Sequence, residues 1–268
     1  MGGLQLFWAF CFIHYIDALS VHHPMVGVAG GHEIPISDAP FVASIIRYKN
    51  KTQPKTTVMI CGGSVIHERF ILTAAHCFLM YENLTSEVIR VGSAQLGVGG
   101  TTYEVEKVII HENFNPNNNM SLAFSHDIAL LKLKENIVYN ENVSKIALAD
   151  KDLEIVPYTL ANVTGWGLTW QFGSISKILR QASVEIKPID ECKMYPWACK
   201  DEICIKSYNK GSCKGDSGGP LTMHGVQVGI VSNGLGCGTM PTIHTKISFL
   251  RPWIDENIRK NLQDHKLT

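Results

Sequence analysis

The stretch Lys210–Met223 reads KGSCKGDSGGPLTM and sets Ser217 among Gly215, Gly218 and Gly219 with an aspartate before it. A serine hydroxyl is a weak nucleophile at neutral pH. It needs a base within hydrogen-bond reach, and that base needs a third group to fix its tautomer and stabilise its positive charge. Two other stretches offer such groups. ILTAAHCF places His76 at the end of an apolar run beside Cys77, and SHDIALLKL places Asp127 just ahead of an apolar run. Taken alone, His76 reads equally well as a core histidine and Asp127 as a turn residue opening a strand. Taken together with Ser217 they are the candidate base, orienting acid and nucleophile. The glycines admit two readings: a tight turn, or a backbone kept bare so that its N–H groups face a reacting oxygen.

These groups must be positioned by the surrounding elements. Short runs rich in Val, Ile and Thr recur along the chain, divided by Gly, Asn, Pro and Asp: FVASIIRY, TVMICGGSVI, RFILTAA, EVIRVG, YEVEKVII, DIALLKL, YTLANVTGW, ASVEI, GVQVGIVS and TIHTKI. This spacing predicts an all-β fold of barrel type. A helical period appears only in SFLRPWIDENIRKNLQ, where Phe249, Trp253, Ile254 and Ile258 are expected to share a face. There is no internal repeat, low-complexity tract or Pro/Gly-rich linker. LGVGGTT lacks the following helix and lysine of a phosphate loop and reads as a hairpin turn.

At 268 residues, 45% hydrophobic and 18% charged, the chain can bury a large core. Its 24 basic and 24 acidic residues give no electrostatic reason for a nucleic-acid or membrane partner. LQLFWAFCFI is too short to span a bilayer and is followed by small residues at Ala18 and Ser20, so 1–20 is expected to be a secretory signal peptide. Cys11 would leave with it, and the remaining cysteines, in a secreted chain, point to disulfides. Their spacing does not suit zinc, and the pair His22 and His23 lies in the expected processed segment, so no metal or other cofactor is expected. Sequons stand at Asn50, Asn83, Asn119, Asn142 and Asn162; the first four have turn-like surroundings and are the glycosylation candidates.

TAAHC, DIALL and GDSGGP, in the order His, Asp, Ser, resemble the chymotrypsin-like (trypsin-fold) serine peptidases. VTGWG, VSNGLGCG and PTIHTKI extend the resemblance over about residues 28–260. It implies two six-stranded β-barrels with the active site between them, a Ser217–His76–Asp127 triad, and an oxyanion hole from the N–H groups of Gly215 and Ser217. The partners implied are protein or peptide substrates and proteinaceous protease inhibitors, acting on a secreted, extracellular monomer. VAGG, Val28–Gly31, matches the family's mature N-terminus, so the resemblance implies a zymogen. Its propeptide would be 21–27 and its peptidase domain 28–268, with the freed Val28 amino group pairing with Asp216. Gly27 stands where a basic residue usually precedes the cut, so a non-tryptic activator, or a short leader trimmed differently, is expected. No accessory domain is expected ahead of Val28.

The resemblance further implies the disulfides Cys61–Cys77, Cys192–Cys204 and Cys213–Cys237, each contributing about 2–4 kcal/mol. Cys199 is left over, and Cys199–Cys204 remains an alternative pairing. VGSAQLGVGGTTY lacks acidic residues where some relatives bind calcium, so no calcium dependence is expected. The substrate pocket would be formed by Gly211, Ser212, Ser232, Asn233, Gly234 and Thr242. Gly211 offers no charge to a Lys or Arg side chain, Gly234 leaves the entrance open, Thr242 shortens the pocket, and Asn233 replaces an apolar tryptophan. A broad preference for large apolar residues before the cut is expected. The alternatives are elastase-like preference for smaller residues, or a non-catalytic homologue that binds a partner.

Overall fold

The computed structural model describes residues 28–48, 57–79, 87–114, 125–195 and 201–263. The expected leader and propeptide, Gly27, Cys199 and the sequons Asn50, Asn83 and Asn119 lie outside the described residues.

The first barrel closes in the order β2 (Val42–Tyr48), β3 (Thr57–His67), β4 (Phe70–Thr73), β7 (Ala129–Leu133), β6 (Thr101–Ile110) and β5 (Glu87–Val91). All its pairings are antiparallel, as hairpin connections between short strands require. Strands β4 and β7 are buried along their whole length, which is why FILT and ALLKL read as continuous apolar runs rather than alternating ones. Lys132 within β7 is tolerated because its ammonium reaches Glu106 at 2.8 Å. LGVGGTT is the turn between β5 and β6, and Gly97, Gly99 and Gly100 all adopt positive φ there.

The second barrel is built from β9 (Leu160–Gly165), β10 (Arg180–Lys187), β11 (Glu202–Ile205), β14 (Thr242–Lys246), β13 (Val226–Gly234) and β12 (Pro220–Met223). Pairing of β12 with β9 and of β9 with β10 closes it. β1 (His32–Glu33) adds to β10 and β8 (Ala147–Leu148) to β13. Each of the ten runs picked out by composition carries a strand. The four strands that composition misses are β1, β8, β11 and β12, all of two to four residues. Such segments are too short for a period, and β12 opens on a proline.

The helix α1 spans Ile247–Gln263. Its buried face is Ile247, Leu250 and Ile254, with Ile258 flanking, and this corrects the expected stripe: Phe249 is 51% exposed. Phe249 and Trp253 lie at the border of the buried face instead, their rings against His126 and His111.

Candidate active site

His76 sits in the single 3-10 turn Ala75–Phe78 that follows β4. Cys77 in that turn is bonded to Cys61 in β3, and Thr73 Oγ1 donates to Gly62 O at 2.9 Å, so the turn is tied to its neighbouring strand from both ends. Asp127 precedes β7 and is completely buried. Its Oδ1 accepts the backbone N–H of His76 at 2.8 Å, and its Oδ2 accepts His76 Nδ1 at 2.7 Å. Because Nδ1–H faces the carboxylate, Nε2 carries the acceptor lone pair of the neutral ring. Burial lowers the His76 pKa most, but the charge of Asp127 and its hydrogen bond together outweigh burial and hold the imidazole above the ordinary histidine value.

The second barrel completes this chain. Between Val231 and Asn233 the register of β13 against β14 slips, and the extra residue is Ser232. A bulge re-aims a side chain, and here Ser232 Oγ donates to Asp127 Oδ2 at 2.6 Å. Thr245 Oγ1 donates to the Asp127 carbonyl at 3.0 Å. Ser232 was expected only as a pocket residue, and Thr245 was not expected at all; TIHTKI signals a strand but not which barrel its threonine faces.

Ser217 lies in the loop after Cys213, which is bonded to Cys237. Gly62 N donates to Ser217 O at 2.8 Å, Gly218 N to Val231 O at 2.8 Å and Gly219 N to Asp216 O at 2.9 Å. The N–H groups of Gly215 and Ser217 stand outside that set. Gly215 has φ +98° and Gly218 φ +76°, and a Cβ on Gly218 would come within 2.1 Å of Thr73 Oγ1. The glycines serve the tight-turn role through positive φ, and Gly218 also permits a close approach of this loop to the first barrel, a role the sequence reading did not assign.

Asp216 is fully buried, and burial pushes its carboxyl up to about 7 despite N–H donors from Cys213 at 2.9 Å and Gly167 at 2.7 Å. A Cβ on Gly165 or Gly167 would lie 2.3–2.4 Å from that carboxyl, which is why VTGWG carries both glycines. Val28 is buried, its nitrogen being in peptide linkage to Gly27. Ala29 O accepts from Gly211 N at 3.0 Å, and Gly30, at φ +69°, passes so close to Asn209 O that no side chain fits. Arg180 holds the same segment through Gly31 O at 2.9 Å and Glu33 at 2.8 Å, a role that sequence reading did not assign to it.

His76 and Ser217 line one cavity of ≈440 Å³, together with Ser212, Ser232, Asn233, Gly234 and Thr242. Gly211, expected as a pocket residue, is not among the residues that line this cavity; it is buried and bridged to Ala29. Gly234 pairs with Thr242 across β13 and β14, and the Thr242 methyl lies 2.6 Å from where a Gly234 Cβ would be. Thr242 Oγ1 is 3.1 Å from Nε2 of the fully buried His244. Gln171 and Phe172 also line the cavity and were missed; the signal was the turn bounded by Gly167 and Gly173. A larger cleft, ≈1420 Å³, runs between Lys145–Leu153 and α1 but contains none of the candidate triad. Cys61, His76 and Cys77 come within reach of a common metal ion, but both sulfurs are spent in their disulfide. Cys192 pairs with Cys204, so the alternative pairing of Cys204 with Cys199 is not adopted.

The trypsin family profile matches residues 28–254. Trypsin 5G1 of Aedes aegypti is 31% identical over 237 residues, covering 85% of this chain and 84% of that protein. Chymotrypsin-2 of Vespa crabro is 32% identical over 233 residues, covering 86% and 99%. Among solved structures, human heparin binding protein superposes with a TM-score of 0.73 at 26% identity, covering 85% of this chain and 95% of that one. With the family match running across both barrels, the chain belongs to the trypsin family of chymotrypsin-like serine peptidases.

Proposed function

We propose that this chain is a secreted serine endopeptidase, made as a zymogen, whose Ser217, His76 and Asp127 act as a triad. The observation that carries the reading is the run Ser232–Asp127–His76, with His76 Nδ1 committed to Asp127 and His76 lining the cavity that Ser217 also lines. Ser217 Oγ attacks the peptide carbonyl carbon as its proton passes to His76 Nε2. Asp127 stabilises the imidazolium, and the N–H groups of Gly215 and Ser217 receive the oxyanion. Collapse of the adduct breaks the C–N bond, the leaving amine takes the proton from His76, and water repeats the sequence to release the acid. Each oxyanion donor is worth about 3 kcal/mol in the transition state.

The substrate residue before the cut is apolar. No Asp or Glu stands among the described residues that line the cavity, and burying a cation without a partner is costly. The Thr242 methyl across from Gly234 shortens the pocket, which favours Leu and Met alongside Phe and Tyr over longer or charged side chains. Activation by a cut after Gly27 would free the Val28 amino group to neutralise Asp216, which is buried and accepts backbone N–H groups from Gly167 and Cys213.

The likeness to heparin binding protein favours a second reading, a binding protein on the same fold that cleaves nothing. One experiment separates the two. Protein matured to begin at Val28, released from a fusion by a protease cutting ahead of that residue, is treated with a fluorophosphonate, and the adduct is mapped by mass spectrometry. Labelling at Ser217 that disappears in Ser217→Ala, together with loss of peptide cleavage, supports the peptidase. Absence of labelling in the matured protein selects the binding protein.

A further inference from the structure

The segment between Gly167 and Ser176 forms a small hairpin that serves neither barrel's core. Leu168 and Ile175 bridge at its base, Thr169 N donates to Ser174 O at 3.3 Å, and Gly173 N donates to Trp170 O at 2.9 Å. The tip is packed by its own side chains: a Cβ on Gly173 would lie 2.5 Å from the Trp170 ring. Trp170 meets Phe172 edge to face, with ring centroids 5.6 Å apart at 78°. Despite this rigid mounting Phe172 remains 78% exposed, and it lines the cavity shared by His76 and Ser217. Facing it, Gly236 comes within 3.8 Å of Gln171 when given a Cβ, and Met240 lies beside it, 43% exposed. The hairpin therefore reaches across the pocket mouth. On the pocket side Asn233 supplies an amide rather than an apolar plane.

An aromatic ring fixed by a tight turn, buttressed by a second ring and left in water beside a reactive serine loses little conformational entropy on gaining an apolar partner. We propose that Phe172 is a specificity-determining residue that packs against an apolar side chain of the substrate adjacent to the one held in the pocket, with Trp170 fixing its position. This rests on the peptidase reading above. The chain would thereby gain from the hairpin the apolar contact that Asn233 does not offer. Its preferred substrates would be extended peptides with two apolar residues near the cut rather than one.

The test uses protein matured at Val28 and peptides with Leu in the pocket position, varied one at a time between Leu, Phe and Ser at each neighbouring position on both sides of the cut. A single-residue nitrophenyl ester of Leu and fluorophosphonate labelling of Ser217 serve as readouts of the pocket and of Ser217 that involve no neighbouring substrate side chain. The wild type is expected to favour Leu or Phe over Ser on the order of tenfold at one neighbouring position, chiefly through KM. Phe172→Ala should abolish that preference and Phe172→Leu should restore most of it. Trp170→Ala should weaken it, and the ester and labelling rates of each variant normalise its peptide rates, so that the preference is read as a ratio of kcat/KM values. A Phe172→Ala enzyme that keeps the preference overturns the proposal. So does one that loses ester hydrolysis equally, because Ile175 Cδ1 lies over Gly215 and the hairpin would then act only by supporting the Ser217 loop. Absence of labelling in the wild type overturns the peptidase reading itself, and this proposal with it.

Discussion

Replacing Gly218 by alanine should cost stability and activity together, and the structure lets the two be separated. Gly218 has φ +76°, a conformation that costs an L-residue about 1–2 kcal/mol. The added methyl would also lie 2.1 Å from Thr73 Oγ1, 2.6 Å from Gly62 O and 3.1 Å from Ala74 N. Two of those three atoms are backbone. The third cannot swing aside without breaking its hydrogen bond to Gly62 O at 2.9 Å. Forced overpacking of this kind adds about 1–3 kcal/mol. The expected loss is about 2–5 kcal/mol in urea denaturation of the disulfide-intact protein, or a melting temperature lower on the order of 10 °C. Gly225→Ala is the internal control: φ is +77°, but nothing lies within 4 Å, so only the backbone cost should appear. Relief of the clash must move the Ser217 loop, and misplacement by about 1 Å lowers rates on the order of a hundredfold. Fluorophosphonate labelling of matured Gly218→Ala should slow accordingly, while Gly225→Ala labels normally. If Gly218→Ala matched Gly225→Ala in stability and labelled at the wild-type rate, the close-approach account of the glycine cluster would be wrong.

Because Asp127 holds His76 above the ordinary histidine pKa and only the neutral imidazole can accept the Ser217 proton, peptide cleavage should fall as pH drops through a value above that of free histidine. Asp127→Asn removes both raising causes and leaves burial, so the residual activity should be lower by several orders of magnitude and its acid limb should move to lower pH. For Asp216 the folded pKa, about 7, lies above the unfolded value, so stability of the uncut chain should be fully present below the unfolded carboxylate pKa and decline as pH rises towards 7. Denaturation of uncut Ser217→Ala across that window should show the decline, Asp216→Asn in the same background should flatten it, and two superimposable profiles would refute the assignment. Thr242→Gly should open the pocket opposite Gly234 and raise kcat/KM for Phe and Tyr relative to Leu by about tenfold, read on chromogenic peptides differing only in that residue.

The candidate nucleophile, base and acid could be picked out in the sequence because each sits in a short segment whose local composition is constrained. Ser217 is flanked by glycines that steric approach demands, His76 follows a buried strand, and Asp127 precedes another. The ten strand-bearing runs were legible for the same reason: Val, Ile and Thr at strand length report burial on a pleated surface. The four shortest strands were not, since two to four residues carry no period. The helix was found, but its buried face was not, because a 3.6-residue period leaves border positions such as Phe249 ambiguous until its neighbours are known. Only the tertiary structure decided how the barrels meet. The bulge that aims Ser232 at Asp127, the docking of Thr245 on the Asp127 carbonyl and the packing of Gly167 against Asp216 each join residues 49 to 118 positions apart. The same holds for the hairpin that brings Phe172 to the cavity. Such contacts depend on strand register and barrel closure, which arise from the whole chain at once, whereas the segments that carry the reactive groups are specified locally.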